Sequence, residues 1–196
     1  MKMTITHQES YSRIELLLRT FFGWLYMAIP HGLILMFLGF LSGILTFVAF
    51  WIVLFTAQYP KGMFKFQSGF IYWGSRLRAR LMNLSDGYPA FELYPVDEYV
   101  KLDILHPEKQ SRILLLLRLF FGWLYVGIPH GFLLIFRTIA TFVIVFLAWW
   151  VVLFTGKYPA SFHAYVTGLI RWSTRVNLYL LFLTDDYPPF NGKEIE

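Results

Sequence analysis

Two long apolar runs, separated by mixed segments, set the pattern of this chain. From Leu16 to Phe55 the run LLLRTFFGWLYMAIPHGLILMFLGFLSGILTFVAFWIVLF carries one charge, Arg19. From Leu114 to Phe154 the run LLLLRLFFGWLYVGIPHGFLLIFRTIATFVIVFLAWWVVLF repeats it, with Arg118 and Arg137. Roughly 18 or more apolar residues with few charges are enough to cross a bilayer core about 30 Å thick, and each run is about twice that length. The matching prolines, Pro30 and Pro129, set an offset of 99, and the match continues outside the runs. Lys2, Ile5, His7, Glu9, Ser12 and Arg13 recur as Lys101, Ile104, His106, Glu108, Ser111 and Arg112. The chain is therefore a tandem duplication that aligns without insertion: unit 1 over 2–91, a linker over 92–100, unit 2 over 101–190 and a tail over 191–196.

The same pattern predicts the elements of each unit. KMTIT and VKLDI alternate apolar and polar side chains, as a strand with one covered face does. Val100, Leu102 and Ile104 would share that face, and the aromatic linker FELYPVDEYV, broken by Pro95, extends the expectation of a small sheet at the membrane surface. Ser12 and Ser111 are placed to cap the helices that follow. Pro30 and Pro129 lack the N–H a continuing helix needs, which predicts a kink or a break. Two layouts compete. Either residues 12–29 lie on the surface and one helix from Pro30 to Phe55 crosses, or Leu17–Met36 and Phe40–Thr56 form a hairpin. Basic residues flank both ends of the first run, Arg13 and Arg19 before it and Lys61, Lys65, Arg76, Arg78 and Arg80 after it. Since cytoplasmic flanks carry the Lys/Arg excess, a hairpin keeps every basic cluster on one side. The expectation is an all-α membrane protein with a transmembrane or re-entrant helical hairpin in each unit, both termini cytoplasmic, and a pseudo-twofold axis along the membrane normal. Trp51, Trp149, Trp150, Tyr59 and Tyr158 fit an aromatic belt at the inner end. After Pro60 and Pro159 comes a helix with a single apolar stripe, Phe66, Phe70, Trp73, Leu77, Leu81 and Leu84, the expected amphipathic helix of the interface. SDGYPAF and TDDYPPF then stop it.

Composition narrows the class. With 57% hydrophobic and only 15% charged residues, the chain falls outside soluble domains, where about a quarter are charged. The apolar run is too long for a signal-peptide core, so the first segment is expected to stay in the mature protein. Without cysteine there are no disulfides, thiol nucleophiles or thiolate metal sites. The net charge of +5 lies beside apolar segments, which points to anionic lipid and not to nucleic acid.

The motifs IPHG, LFTGKYP and GLIRWSTRVNLYLLFLTDDYPPF of unit 2 closely resemble the bacterial membrane proteins grouped as domain of unknown function 4389. Unit 1 resembles a diverged member. It keeps IPHG, Trp73, Arg76, Asp86 and YP-x-F, but has Tyr72 in place of Arg171, Ala57 in place of Gly156, Gly87 in place of Asp186 and Ala90 in place of Pro189. The resemblance implies a bacterial inner-membrane protein and brings no catalytic residue, substrate or cofactor.

Candidate sites are few. His31 and His130 are polar groups inside apolar runs, which makes each a functional candidate. Two such imidazoles could hold a b-type haem. The structural alternative has each histidine donating to a carbonyl left unpaired by its proline, or sitting at the water interface. Arg76 and Arg175 each precede an aspartate, Asp86 and Asp185, by ten residues, a spacing that would let an ion pair pin the YP-x-F tail. Arg76, Arg78, Arg80, Arg171 and Arg175 are the alternative lipid-headgroup set, because guanidinium forks fit phosphate oxygens. The literal GxxxG of Gly39 and Gly43 reads as flexibility at the hairpin tip. No catalytic or metal-ligating signature stands out. The expected role is a non-catalytic structural or accessory subunit that packs against a larger membrane complex and anionic lipids. Transport of a small solute or lipid along the repeat interface is the alternative, and haem-based electron transfer a third.

Overall fold

The computed structural model describes residues 1–194, and the helix boundaries of the first unit recur 99 residues later in the second. Strand β1 (Lys2–Ile5) is followed by α1 (Arg13–Gly23), a π-helical turn (Trp24–Ala28), α2 (Ile29–Thr56) and α3 (Lys61–Leu81). The second unit gives β2 (Val100–Asp103), α4 (Arg112–Gly122), a π-helical turn (Trp123–Gly127), α5 (Ile128–Thr155) and α6 (Ala160–Leu180). Residues 195 and 196 of the tail lie outside the described residues. The fold is mostly helical, with two similar pairs of long helices and the small surface sheet that the alternating segments predict. Of the linker, only Val100 is in a strand.

The strands come from different units and pair antiparallel, with Met3 opposite Leu102, Thr4 opposite Lys101 and Lys2 opposite Asp103. Met3 and Leu102 are equivalent positions of the repeat, so a pseudo-twofold axis passes between them. Side-chain alternation covers one face: Met3, Ile5 and Val100 are buried there beneath Tyr72 and Ile170 of the central helices.

The hairpin turn expected near residues 37–39 is not there. Arg13–Thr56 is one continuous helix of 44 residues, as is Arg112–Thr155. Gly39 and Gly43 lie inside α2 rather than at a tip. A turn in so apolar a run would leave backbone polar groups without water or side-chain partners, whereas the helix satisfies each one internally. The chain reverses instead at Ala57–Pro60, where Ala57 takes a left-handed conformation (φ 59°) and α3 returns along α2. At about 1.5 Å per residue the long helix measures about 66 Å.

The two long helices run antiparallel where they meet. The Arg13 guanidinium donates to the Phe154 carbonyl (3.2 Å) and the Trp149 indole to Thr20 (2.8 Å), while at the other end Arg112 donates to the Phe55 carbonyl (2.8 Å). Their central parts are apart and pack on α3 and α6 instead. Straight rods that touch at both ends touch throughout, so each long helix is bowed outward, with its π-helical turn and proline as the local causes of curvature. Both ends of each bow are tied to the segments flanking the sheet, since Tyr11 N–H donates to the Gly156 carbonyl and Gln110 N–H to the Ala57 carbonyl, each at 2.8 Å.

Helices α3 and α6 fill the space inside the bows and contact one another. The apolar stripe of α3 packs inward, with Trp73 and Leu77 buried, and its other sides are covered as well, with Gln67, Ser75 and Arg76 shut off from solvent. Tyr59 and Tyr158 are 1% and 2% exposed, so these two belong to the core and not to an aromatic belt. Trp51 and Trp150 do remain exposed.

Candidate functional site

One set of polar residues repeated in both units, His31, Trp73 and Tyr88 with His130, Trp172 and Tyr187, gathers at each bend. In a regular α-helix the N–H of residue 30 would serve the carbonyl of residue 26, and Pro30 has none. The Tyr88 hydroxyl, from the YP-x-F tail, donates to that Tyr26 carbonyl at 3.0 Å. Unit 2 repeats the contact from Tyr187 to the Tyr125 carbonyl, again at 3.0 Å. The carbonyl orphaned by proline is therefore satisfied by the tail tyrosine, three residues after Ser85 in unit 1 and Thr184 in unit 2, and not by the adjacent histidine.

The histidines point the other way, toward the central helices. The Trp73 indole donates to His31 Nδ1 at 2.8 Å and the Trp172 indole to His130 Nδ1 at 2.9 Å. Because Nδ1 accepts in both, the hydrogen-bond network assigns the ring proton to Nε2. His130 Nε2 lies 3.2 Å from the Tyr187 hydroxyl, whereas His31 Nε2 has no partner among the described residues. Phe91 stacks on His31 at 3.9 Å between centroids and Phe190 on His130 at 4.0 Å. Both imidazoles are fully buried and each is held by partners of its own unit. Among the described residues no group of three or more His, Cys, Asp or Glu could hold a metal ion.

The arginines hold the tail. Arg76 donates to the Ala90 carbonyl (3.2 Å) and to the Glu92 carbonyl, and Arg175 to the carbonyls of Asn191 (3.5 Å) and Lys193 (2.7 Å). Pinning of the tail is thus real, but by backbone carbonyls. The expected pairs Arg76–Asp86 and Arg175–Asp185 do not form. Asp86 turns to α1, where it meets Arg19 (2.8 Å) and the Ser12 N–H (2.7 Å). Asp185 likewise meets Arg118 and the Ser111 N–H (2.6 Å). A carboxylate at the start of a helix is favoured by the exposed N–H groups and the helix dipole, which a partner on α3 or α6 could not supply. Ser12 and Ser111 cap as expected, each hydroxyl accepting an N–H at 3.3 Å.

Arg80 meets Asp97 (2.9 Å) and Ser85 (2.6 Å), and Arg171 donates to the carbonyls of Met3 (3.0 Å) and Gly192 (2.8 Å). Burial pulls the pKa of Arg76, Arg171 and Arg175 below the usual guanidinium value. Four of the five arginines expected at lipid headgroups, Arg76, Arg80, Arg171 and Arg175, are therefore buried and spent on the protein itself. Only Arg78 of that set is partly exposed. Arg19 and Arg118, expected from the sequence only as basic flanks of the apolar runs, are the partners that matter. The signal was their recurrence at the repeat offset.

Residues 113–191 match the family model described as domain of unknown function (DUF4389). No curated protein and no solved structure matches the chain.

Proposed function

Taking as premise that the second unit belongs to the DUF4389 family, whose function is unknown, we propose that this chain is a non-catalytic integral protein of a bacterial inner membrane. Its role is that of a structural or accessory subunit packed against a larger membrane complex and anionic lipids. One observation carries the reading: the recurring histidines, aspartates and buried arginines are engaged in contacts within the protein, while the outer face of each bow is apolar and unpartnered. Ile29, Leu33, Met36, Phe40, Ile44 and Phe47, at helical spacing, are all exposed. Contiguous apolar surface on this scale marks contact with lipid or with another protein.

In this reading the bows dip into the bilayer from the side that carries the sheet, and the sheet and both termini face the cytoplasm. A helix of about 66 Å exceeds what a core of about 30 Å requires, and both of its ends are tied to the segments that flank the sheet. Cysteines introduced at Ser10, Pro95 and Glu194 are expected to resist an impermeant thiol reagent added to intact cells and to react after lysis. Reaction at any of them in intact cells would rule out this orientation. Purification in mild detergent is expected to retain a membrane-protein partner, and a protein that always emerges alone would argue against the accessory role.

A further inference from the structure

A groove of about 660 Å³ runs between α2 and the end of α6, with α3 as its floor. Its walls are apolar, Leu35, Phe70, Leu77 and Leu181 among them, and Gly39, Gly43 and Gly74 keep it wide. A Cβ added at Gly43 or Gly74 would meet nothing within 4 Å, so these glycines leave space instead of serving close packing. At the same positions of the repeat unit 2 has Thr138, Phe142 and Ser173.

One charge lines the groove, Arg78. It donates from Nε to the Gly74 carbonyl and from Nη1 to the Ser173 hydroxyl, each at 3.2 Å. The remaining N–H groups of its fork have no partner among the described residues, and no carboxylate lies within ion-pair distance of it there. In that respect it differs from Arg19, Arg80 and Arg118, each of which has its own aspartate. A partly desolvated, uncompensated guanidinium is costly, and burial pulls its pKa down. The cost is recovered by an anion whose oxygens fit the fork.

We propose that this groove is a site for one anionic phospholipid of the surrounding bilayer, with its phosphate on Arg78 and an acyl chain along Gly39, Gly43 and Phe70. The proposal rests on the membrane reading above. Its size lies within the roughly 300–1,000 Å³ of ordinary ligand sites, which are likewise apolar with a few placed polar groups. Asn177 stands at the position equivalent to Arg78 and Phe142 at that of Gly43, so the proposal assigns the site to the first unit.

The full chain, purified in mild detergent, is offered equimolar phosphatidylglycerol and phosphatidylcholine and analysed by native mass spectrometry. Retention of phosphatidylglycerol in preference is expected, with about a tenfold loss of that preference in Arg78→Gln and its recovery in Arg78→Lys. Gly43→Phe, which installs the residue of unit 2 in open space, is expected to lower retention of both lipids while leaving the thermal unfolding midpoint near wild type. Equal retention of the two lipids by the wild type, unchanged preference in Arg78→Gln, or undiminished retention in Gly43→Phe would overturn the proposal. So would efficient cross-linking of a Gly43→Cys variant to a second polypeptide in native membranes, which would give the groove to a protein helix. Resistance of the wild type to alkaline extraction from membranes tests the underlying membrane reading on its own. If extraction fails to release the protein but lipid preference is absent, only the groove assignment falls.

Discussion

In the first unit Gln67 reaches from α3 to α2, donating to the Ser42 carbonyl (2.8 Å) and the Thr46 hydroxyl (2.9 Å) while accepting from the Ser42 hydroxyl (2.5 Å). The second unit has Thr141, Val145 and Val166 at these places, and the buried Thr141 hydroxyl has no partner among the described residues. There the polar link between the helices is Arg137, over the Tyr165 ring at 4.5 Å and donating to the Tyr165 carbonyl at 3.1 Å, where unit 1 has Leu38. The junctions beside the sheet differ too. His163 sits edge-on to His7 at 5.0 Å, whereas the equivalent edge-on pair, at 4.7 Å, sets the uncharged ring of Phe64 against His106. What both units share is the clamp on the bend: proline, histidine, tryptophan, arginine, and the tyrosine and phenylalanine of the tail. The lesson is that the clamp defines the fold, and that the positions around it are where the two halves acquired separate properties.

The sharpest way to break the comparison is at the buried ion pairs. Arg118 serves the Tyr179 (3.1 Å) and Thr184 (2.7 Å) carbonyls besides Asp185, whereas Arg19 serves the Ser85 carbonyl (2.6 Å) and Asp86. Removing one partner of such a pair costs about 3–5 kcal/mol. Arg118→Ala is expected at the upper end and Arg19→Ala at the lower, read by thermal unfolding in detergent. Equal losses would mean that the two pairs are interchangeable.

Acid should distinguish the junctions. Burial, with His7 as the lesser contributor, lowers the pKa of His163 from 6.5 to about 4, and its Nε2 lies 3.2 Å from the Leu84 carbonyl. Between these values the unfolded chain binds the extra proton, so the stabilising term is complete above about pH 6.5 and drains away as pH falls toward about 4. The loss is at most about 3 kcal/mol. Tyr11 and Tyr158, the other titratable rings packed here, stay neutral throughout that window. Unfolding midpoints measured from pH 7 to 4 are expected to flatten in His163→Phe and to steepen in Phe64→His. An unchanged slope in His163→Phe would remove this histidine as the source.

Smaller effects sharpen the picture. Tyr187→Phe loses contacts to both His130 and the Tyr125 carbonyl, so about 1–2 kcal/mol is expected. Tyr88→Phe loses one hydrogen bond, for about 1 kcal/mol. A first-unit loss that exceeds the second would point to a stronger clamp than its hydrogen bonds imply. Ala57 holds the left-handed position at the end of α2 that Gly156 (φ 71°) fills in α5. Ala57→Gly is therefore expected to stabilise by roughly 0.5–1 kcal/mol in chemical denaturation, and Gly156→Ala to do the reverse. A destabilising Ala57→Gly would show that the alanine methyl is needed for packing.

Local patterns along the chain were enough for the duplication, the apolar helices, the strands, the serine caps and the bend at proline. Each follows from the periodicity or chemistry of neighbouring residues, and recurrence at a fixed offset doubled every signal. Spacing misled where a side chain had a choice of partners. Arg76 and Asp86 are ten residues apart and never meet, because the start of α1 offers the aspartate a guanidinium and free N–H groups together. The turn near residue 38 failed for a related reason: charge placement argued for a reversal, but the polar backbone groups of a turn would find no partners among apolar side chains.

The sequence by itself determined which segments are helical, that two copies of one unit exist, and that their surfaces suit an apolar medium, because hydrophobic periodicity and helix propensity act within a few residues. Tertiary structure alone decided that the run is a single bow, that the tail tyrosine fills the carbonyl left open by proline, and that four of the five arginines point inward. Those outcomes depend on which distant group can reach a buried polar atom, and that competition is settled only when the whole chain has packed.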